Sequence, residues 1–414
     1  MAGNNKLLVL SNRGPLSMTR DAGGTLRARR GGGGLVVTLG PGVERDEALW
    51  VAAGVGADDA EAAQTGLFDA DGFRVHPVMI DPEDYRAYYD VVANQTLWFC
   101  LHGLWDLPRR PRFDRRWWSA WERFQAVNAQ FAAAAAAQAA PGAEVLVQDY
   151  QLALVPALLA AQRPDLRTVA FLHTPWCSPS ELAVLPDGVA AAVLSGLAGA
   201  GAVGFHSARW AEAYVACCRE RLGRAPATFV APAATDLDDL RAVAASEECG
   251  RELDELDGAV GDRQLIVRVD RIELSKNVLR GFWAYDELLE QRPDLRGQVV
   301  FAAMVYPSRL GLAEYLAYGQ EVQSLAAQIN AKWAQAVGLG DAGWIPIMLE
   351  PEDNHPRSVA ALRRADVLLV NPVRDGLNLV AKEGPLVNER DGVLVLSHQA
   401  GAWDELGEHA IGIN

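Results

Sequence analysis

Short apolar runs separated by helix-like stretches dominate the hydrophobic pattern of this chain. Eight of these runs have the length of strands, and within them apolar residues are continuous rather than alternating with polar ones. The runs are Leu7–Leu10, Val145–Val147, Thr168–Leu172, Ala202–Phe205, Leu265–Val269, Val299–Met304, Val367–Val370 and Val393–Leu396. Buried strands that alternate with helices are typical of parallel sheets covered on both faces. The pattern therefore predicts an α/β protein.

The eight runs form two groups, separated by residues 225–263, a stretch rich in Ala, Asp and Glu. A chain of 414 residues is also long for a single core. We predict an N-terminal domain of residues 1–234, a C-terminal domain of residues 235–414, and a hinge at Pro232–Asp236. Because ligands of open parallel sheets bind beyond the carboxyl ends of the strands, two facing sheets predict an interdomain cleft.

Two further segments have simple interpretations. Ala132–Ala140 is almost entirely alanine, the strongest helix former, and predicts a plain helix. Gly188–Phe205 is uncharged and nearly long enough to span a membrane. It is rich in Gly and Ala and divides into a helical pattern and a short strand, so we do not expect it to span a membrane.

Two predicted strand–loop–helix junctions in the C-terminal half carry the clearest chemistry. Such a junction offers unpaired backbone N–H groups and a positive helix end, which suit a phosphate. Val269–Lys276 adds two cations, Arg271 and Lys276. Asn371–Glu383 adds two carboxylates, Asp375 and Glu383, which suit sugar hydroxyls better. Together the junctions predict a sugar nucleotide held at its diphosphate, its ribose and its sugar.

Composition limits the partners of this chain. A net charge of −15 disfavours a nucleic-acid partner, because nucleic-acid binding needs a basic surface. A phosphorylated ligand would need its cations to be concentrated in one place against this overall negative charge. The five cysteines form no C-x-x-C pattern and are expected to be reduced, buried thiols of a cytoplasmic protein. The sequence contains no metal-binding pattern, so we expect chemistry without a metal or cofactor and no membrane partner.

Other candidate groups each leave two interpretations open. The glycine run in Arg30–Leu35 suits either a flexible loop or a backbone cradle for phosphate. Asp149 and His173 follow predicted strands, and each is either a hydrogen-bonded structural residue or part of a site at the strand ends. Arg309 follows another strand and is either a solvated surface group or a cation of the cleft.

Nine segments, in this order, resemble the trehalose-6-phosphate synthases, a family of retaining glycosyltransferases. They are Ser11–Arg13, Gly33–Leu35, Leu97–Trp98, Asp149–Leu152, His173–Pro175, Gly204–His206, Arg271 with Ser275–Lys276, Ser308–Arg309 and Arg374–Glu383. The resemblance covers nearly the whole chain. It implies the GT-B architecture, with two facing Rossmann-like domains and a cleft between them.

The resemblance also implies a role for individual residues on the donor side. The implied donor site consists of Gly33, Gly34, Arg271, Lys276, Asp375, Asn378, Leu379 and Glu383. Arg271 and Lys276 would contact the donor diphosphate. Asp375 would hold the transferred glucose with help from His173 and from the N–H groups of Asn378 and Leu379. Glu383 would hold the ribose.

On the acceptor side, the resemblance implies that Asp149 lies by the sugar and that Arg13 and Arg309 face its phosphate. The chemistry implied is front-face displacement without a side-chain nucleophile, in which the leaving phosphate takes the acceptor proton. Arg271 and Lys276 would stabilise developing charge, while the carboxylates orient the sugar. Arg271, Lys276, Asp149 and His173 are thus the catalytic candidates.

The sequence departs from the family at several positions. The family's acceptor-phosphate tyrosine, expected shortly after Leu97–Trp98, is replaced by Gly103, with Trp105 two residues later. Trp105 is either a stacking partner for the acceptor ring or a core aromatic. Gln148 and Gln151 stand at positions where histidines are common. The sequence ends at Asn414, where the family usually continues with helices.

The leading functional hypothesis is synthesis of trehalose 6-phosphate from a nucleoside-diphosphate glucose and glucose 6-phosphate, with a homo-oligomer as one possible assembly. Two alternatives stay open: a pseudo-glycosyltransferase that couples cyclitols, and an inactive regulator that binds sugar phosphates. The Arg29–Leu35 and Glu383–Arg390 segments resemble the actinobacterial branch. That resemblance favours GDP-glucose over UDP-glucose as donor.

Overall fold

The structure is a computed structural model and describes residues 4–21, 23–31, 34–337 and 343–414. The chain divides into two compact units, Met1–Pro232 and Ala233–Asn414. Each unit contains a mainly parallel sheet, and strands alternate with helices along most of the chain. The predicted α/β class with parallel sheets is confirmed.

Among its described residues, the first unit contains an eight-stranded sheet in the order β10-β9-β8-β7-β1-β4-β6-β5, in which only β5 is antiparallel to its neighbour. A separate antiparallel hairpin pairs β2 with β3. The strands are β1 (Asn5–Ser11), β2 (Leu16–Arg20), β3 (Leu26–Arg30), β4 (Leu49–Val55), β5 (Asp69–Ala70), β6 (Phe73–Ile80), β7 (Ala139–Gln148), β8 (Arg167–Leu172), β9 (Ala202–Phe205) and β10 (Thr228–Val230). The helices are α1 (Gly34–Arg45), α2 (Ala57–Thr65), α3 (Pro82–Arg86), α4 (Phe99–His102), α5 (Arg115–Gln138), α6 (Val155–Gln162), α7 (Pro179–Leu182), α8 (Asp187–Leu197) and α9 (Ala208–Leu222).

A π-helical segment, Ala87–Trp98, joins α3 to α4 without interruption of the helical backbone. Its Tyr88 and Tyr89 both contact Tyr85 of α3, with ring centroids 6.0 and 5.3 Å apart. Tyr88 is fully buried and packs on Phe124 of α5, with ring centroids 5.5 Å apart.

The described part of the second unit contains a six-stranded parallel sheet in the order β13-β12-β11-β14-β15-β16. Its strands are β11 (Gln264–Ile272), β12 (Val299–Pro307), β13 (Ile347–Glu350), β14 (Val367–Val370), β15 (Val393–Ser397) and β16 (Ile411–Ile413). Its helices are α10 (Leu237–Ala244), α11 (Glu247–Val260), α12 (Val278–Gln291), α13 (Ala313–Val337), α14 (His355–Arg364), α15 (Val380–Val387) and α16 (Trp403–Leu406). The core between them includes Val267, Phe282 and Phe301.

All eight predicted runs lie within parallel strands of these two sheets. The helix predicted over Ala132–Ala140 is wrong at its end, because α5 stops at Gln138 and β7 begins at Ala139. Ala139 pairs with Asn5 of β1, so sheet pairing overrides the helix preference of alanine. Gly188–Phe205 divides into α8 and β9 as expected, and no helix in the described ranges is long and apolar enough to cross a membrane.

Candidate active site

Three loops of the second unit meet at one edge of its sheet. They follow β11, β12 and β14, and β11 lies directly between the other two strands. Because the three strands are parallel, their carboxyl ends point to the same edge. Arg271 is the penultimate residue of β11, and the loops contain Glu273–Asn277, Ser308–Leu312 and Asn371–Leu379, so this edge gathers the predicted cations and Asp375.

Lys276 lies between two carboxylates. Its Nζ is 2.6 Å from Asp375 Oδ2 and 3.7 Å from Asp270 Oδ1. The side chains of Lys276 and Asp375 are only 14% and 17% exposed. Burial alone lowers the pKa of Lys276, but Asp375 and Asp270 outweigh it and raise that pKa above its usual value. Lys276 is therefore a fixed, charged ammonium group.

A fully buried arginine, Arg268, holds the backbone and one carboxylate partner of this lysine in place. Arg268 Nη2 donates to Asp270 Oδ2 over 2.7 Å and to the carbonyl oxygen of Lys276 over 2.8 Å. Gly281 of α12 makes room for it, since a Cβ there would lie 2.8 Å from Arg268 Nη1. A buried charge is tolerated only with such partners, so Arg268 ties the position of Lys276 to the sheet.

Backbone and amide bonds join the loops after β11 and β14. The amide of Asn277 donates to the carbonyl oxygen of Asn371 over 3.0 Å, and the amide of Asn371 donates back over 3.2 Å. The N–H of Val373 donates to the carbonyl oxygen of Ser275 over 2.8 Å. These reciprocal bonds fix Lys276 and Asp375 relative to one another.

Three further donor candidates, Asn378, Leu379 and Glu383, lie at the start of α15. Asn378 Nδ2 donates to Asp375 Oδ2 over 3.2 Å, and Asn378 Oδ1 accepts from the N–H of Ala381 over 3.2 Å. Leu379 immediately precedes α15, where helical N–H groups lack partners within the helix. Glu383 lies one turn into this helix, and burial raises the pKa of its carboxyl group.

Arg271 and Arg309 share one buried carboxylate. Glu273 Oε1 lies 3.3 Å from Arg271 Nη2 and 3.8 Å from Arg309 Nη1. The Arg309 guanidinium also hydrogen-bonds to the hydroxyl of Tyr315 and lies 5.2 Å over its ring. Arg309 is only 14% exposed, so it is not a solvated surface group.

Unusual backbone conformations occur at these strand ends. Arg309 has a φ of 48°, Asn277 of 60°, Asn378 of 78° and Asp149 of 66°. Positive φ is uncommon for residues with a Cβ, and residues held there concentrate in functional sites. The surrounding hydrogen bonds hold these four side chains in directions that an ordinary loop would not give.

In the first unit, Asp149 and His173 follow the adjacent strands β7 and β8. The N–H of His173 donates to Asp149 Oδ1 over 3.4 Å. Both imidazole nitrogens of His173 are engaged, with His206 Nε2 at 3.1 Å and Gln148 Oε1 at 2.9 Å. A sugar hydroxyl would therefore have to share or replace one of these partners.

Burial and the nearby ring of His206 lower the pKa of His173 to about 3. The unfolded chain binds this proton near the ordinary histidine pKa of about 6.5, so the contribution of His173 to stability is complete above that value and is lost as pH falls toward 3. We expect the melting temperature of the wild type to fall more between pH 7 and pH 5 than that of His173→Asn. His409→Asn, at an exposed position, is the matched control. Equal pH dependence in all three proteins would contradict the burial of a neutral imidazole.

Arg13 follows β1 and lies among tyrosines of the α3–π-helix segment. Its guanidinium lies 5.7 Å over the ring of Tyr89, which stacks on Tyr85 with centroids 5.3 Å apart. The hydroxyl of Tyr85 accepts from Asn12 Nδ2 over 3.0 Å, and burial and Tyr89 raise the pKa of Tyr85 to about 12. Arg13 thus has the phenol groups of Tyr85 and Tyr89 beside it, although neither Gly103 nor Trp105 carries one.

The positions that suggested a missing phenol have structural roles. Gly103 ends α4 with a φ of 64°, where a tyrosine would be strained. Trp105 stacks on Phe99 with centroids 5.9 Å apart. Gly33 lies outside the described residues, and Gly34 begins α1.

Several residues that contact the candidate groups received no individual role from the sequence. They are Arg268, Asp270, Glu273, Asn277, Tyr315 and Asn371 in the second unit and Tyr85, Tyr89 and His206 in the first. Charged residues inside an apolar strand were a usable signal for Arg268 and Asp270, because such residues are rarely buried without partners. The described residues contain no group of three or more His, Cys, Asp or Glu side chains arranged to hold a metal ion.

Comparison with known proteins identifies the family. The model of Glycosyltransferase family 20 matches residues 5–414. The chain belongs to this family. Trehalose-6-phosphate synthase of Mycolicibacterium vanbaalenii is 34% identical, with 98% of this chain and 85% of the relative covered. The family assignment, the enzyme class and the resemblance to actinobacterial relatives are thereby confirmed.

Solved structures give the same result for the fold. An alpha,alpha-trehalose-phosphate synthase (UDP-forming) from Burkholderia vietnamiensis is 26% identical with a TM-score of 0.83, over 100% of this chain and 88% of that one. An E. coli structure bound with UDP-2-fluoro glucose is also 26% identical, with a TM-score of 0.82 over 99% of this chain and 87% of that one. The glycosyltransferase family 20 chain thus has the GT-B fold class, with two sheet-containing domains.

Proposed function

We propose that this protein transfers glucose from a nucleoside-diphosphate glucose to glucose 6-phosphate, with retention, and so makes trehalose 6-phosphate. The observation that carries the proposal is the 2.6 Å contact between Lys276 Nζ and Asp375 Oδ2. In the donor, the bond that breaks joins the glucose to the diphosphate. Lys276 suits the diphosphate and Asp375 suits the sugar hydroxyls, so the two side chains together can hold the groups on either side of that bond.

The second unit would hold the donor. Arg271 and Lys276 bind the diphosphate, and Asp375 with the N–H groups of Asn378 and Leu379 binds the glucose. The buried carboxyl group of Glu383 accepts the ribose hydroxyls. Gly33 and Gly34 of the first unit are assigned to the donor as well, as the glycine run suggested.

The first unit would contribute every acceptor group except Arg309, which lies in the loop after β12. Asp149 orients the acceptor sugar, and Arg13 binds its phosphate together with Arg309. Tyr85 and Tyr89 add phenols beside Arg13, while Trp105 keeps only a stacking contact with the sugar ring. His173 contributes to the glucose site through one of its shared ring nitrogens.

The reaction would be a front-face displacement. The bond between the anomeric carbon and the diphosphate oxygen breaks, the acceptor oxygen bonds to the same face, and the departing phosphate takes the acceptor proton. Arg271 and Lys276 stabilise the charge that develops on the leaving diphosphate. The neutral state of His173 at ordinary pH agrees with an orienting role rather than that of a proton donor.

Two features bear on the alternatives and on the compartment. The missing family tyrosine slightly favoured the pseudo-glycosyltransferase hypothesis, and the tyrosines beside Arg13 weaken that argument. All five cysteines are free and buried, which supports the cytoplasm as the compartment.

The direct test is a product assay with glucose 6-phosphate and a panel of nucleotide sugars. Formation of a phosphorylated, non-reducing disaccharide with release of nucleoside diphosphate is expected. Turnover only with a cyclitol acceptor, or no turnover with any donor, would contradict the proposal.

Within that assignment, we propose GDP-glucose as the preferred donor, supported by the actinobacterial character of the Arg29–Leu35 and Glu383–Arg390 segments. Isothermal titration calorimetry should give a lower Kd for GDP than for UDP, and the ratio kcat/KM should rank the two glucose donors in the same order. ADP serves as a control for general diphosphate binding. Tighter binding of UDP than of GDP would overturn the preference without affecting the reaction class.

A further inference from the structure

Glu273 is a buried carboxylate with three partners at the carboxyl edge of the second sheet. Its side chain is 2% exposed. Oε1 lies 3.3 Å from Arg271 Nη2 and 3.8 Å from Arg309 Nη1. Ser308 Oγ donates to the same oxygen over 3.4 Å. One carboxylate oxygen therefore joins the loop after β11 to the loop after β12.

The backbone of Glu273 is fixed as firmly as its side chain. Its N–H donates to the carbonyl oxygen of Arg271 over 2.8 Å, and its carbonyl oxygen accepts from the N–H of Lys276 over 3.0 Å. In the adjacent strand, Tyr306 and Pro307 pair in register with Arg271 and Ile272. Glu273 is thus held on a rigid sheet edge between the two loops.

The two arginines need such a group. Arg271 and Arg309 are like charges close enough to disfavour one another, and each has a long side chain that loses rotamer freedom when ordered. Arg271 is 48% exposed, so packing alone does not fix its direction. A buried carboxylate between two guanidinium groups removes the repulsion and sets their separation.

We propose that Glu273 is a positioning residue that holds Arg271, the cation for the donor diphosphate, and Arg309, the cation for the acceptor phosphate, in one frame. This inference rests on the proposed function. Because the two phosphates must be placed correctly at the same time, Glu273 couples donor orientation to acceptor orientation. Tyr315 supports the same arrangement, because Arg309 Nη1, the nitrogen nearest Glu273, also donates a hydrogen bond to the Tyr315 hydroxyl.

Glu273→Gln tests the charge with little change of size. An amide oxygen still accepts hydrogen bonds, but it no longer offsets the repulsion between the arginines. We expect kcat to fall about 10-fold, and about 10²-fold in Glu273→Ala, with smaller changes in KM, because misplacement of a binding group by about 1 Å costs up to that factor. Glu273→Asp keeps the charge and should recover part of the loss.

A double-mutant cycle separates positioning from general stability. If Glu273 acts through Arg309, Glu273→Gln should have a much smaller effect on kcat/KM for glucose 6-phosphate in an Arg309→Lys background than in the wild type. Glu252→Gln is the matched control, because Glu252 also pairs with an arginine, Arg357, at 2.7 Å in the second unit. Additive effects, or a lowered melting temperature with unchanged kcat, would overturn the proposal.

The experiment also distinguishes failure of this inference from failure of the proposed function. If the wild type makes no trehalose 6-phosphate, the proposed function fails and the cycle on glucose 6-phosphate cannot support Glu273. In that case, the Kd values of GDP and UDP, measured by calorimetry, test whether Glu273 positions Arg271. We expect Glu273→Gln to bind the better diphosphate about 10-fold more weakly, whereas an unchanged Kd would reject a positioning role toward Arg271.

Discussion

Replacing Lys276 with alanine should lower kcat by about 10²-fold or more, on the order of the cost of losing one preorganised electrostatic group. The ammonium group lies 2.6 Å from Asp375 and 3.7 Å from Asp270, and Asp270 is itself paired with Arg268. It therefore needs little rearrangement to stabilise charge on a leaving diphosphate. Because this charge develops in the transition state, kcat should fall more than KM rises. Steady-state kinetics with saturating acceptor measures both.

Lys332→Ala is the matched control for this variant. Lys332 also pairs with carboxylates, at 2.8 Å from both Asp286 and Glu290, but it is 40% exposed and distant in sequence from the strand-end loops. Its removal should leave kcat unchanged. A Lys276→Ala enzyme with normal kcat and only a raised KM would show that Lys276 supplies uniform binding rather than transition-state stabilisation.

The sequence predicted those parts of the fold whose signal is local. The continuous apolar runs predicted β1, β7, β8 and β9 in the first sheet and β11, β12, β14 and β15 in the second, because burial on both faces removes any need for alternation. The equally apolar β4 was missed. β6 was missed because Phe73–Ile80 contains His76 and Pro77, which are atypical of strands, and its pairing with β4 is a property of the tertiary structure. The end of α5 was misplaced for a similar reason, because Ala139 pairs with β1.

For the candidate site, residue types and strand ends were predictable, whereas partnerships were not. Arg271, Lys276 and Asp375 were identified because the sequence places them after apolar runs. Glu273 is adjacent to them in sequence, but its importance depends on Arg309, which lies 36 residues further along the chain. Only the register of β11 with β12 brings those two residues together. Likewise, Tyr89 became a candidate only when the helical segment placed its ring beside Arg13.

The removal of the Arg309 side chain should abolish the use of glucose 6-phosphate while nucleotide binding survives. A guanidinium fork suits a phosphate dianion, and Arg309 is held in place by Glu273 and Tyr315 with its backbone at a φ of 48°. Arg309→Ala should cost about 2–5 kcal/mol of acceptor stabilisation, as for truncation of one member of a buried charge pair. The comparison requires kcat/KM for glucose 6-phosphate and the Kd of the diphosphate in the same preparation.

Arg292→Ala is the control for this experiment, because Arg292 forms an exposed ion pair with Asp294 and is 58% exposed. It should leave both quantities unchanged, since exposed pairs contribute little. In Arg309→Ala, Glu273 keeps Arg271 as a partner, so the diphosphate site should persist. If Arg309→Ala used glucose 6-phosphate normally, or if the wild type preferred an unphosphorylated sugar, the acceptor assignment would fail. Arg271 and Lys276, the cations that bind the diphosphate, would then indicate a transferase of the same family that uses a different acceptor.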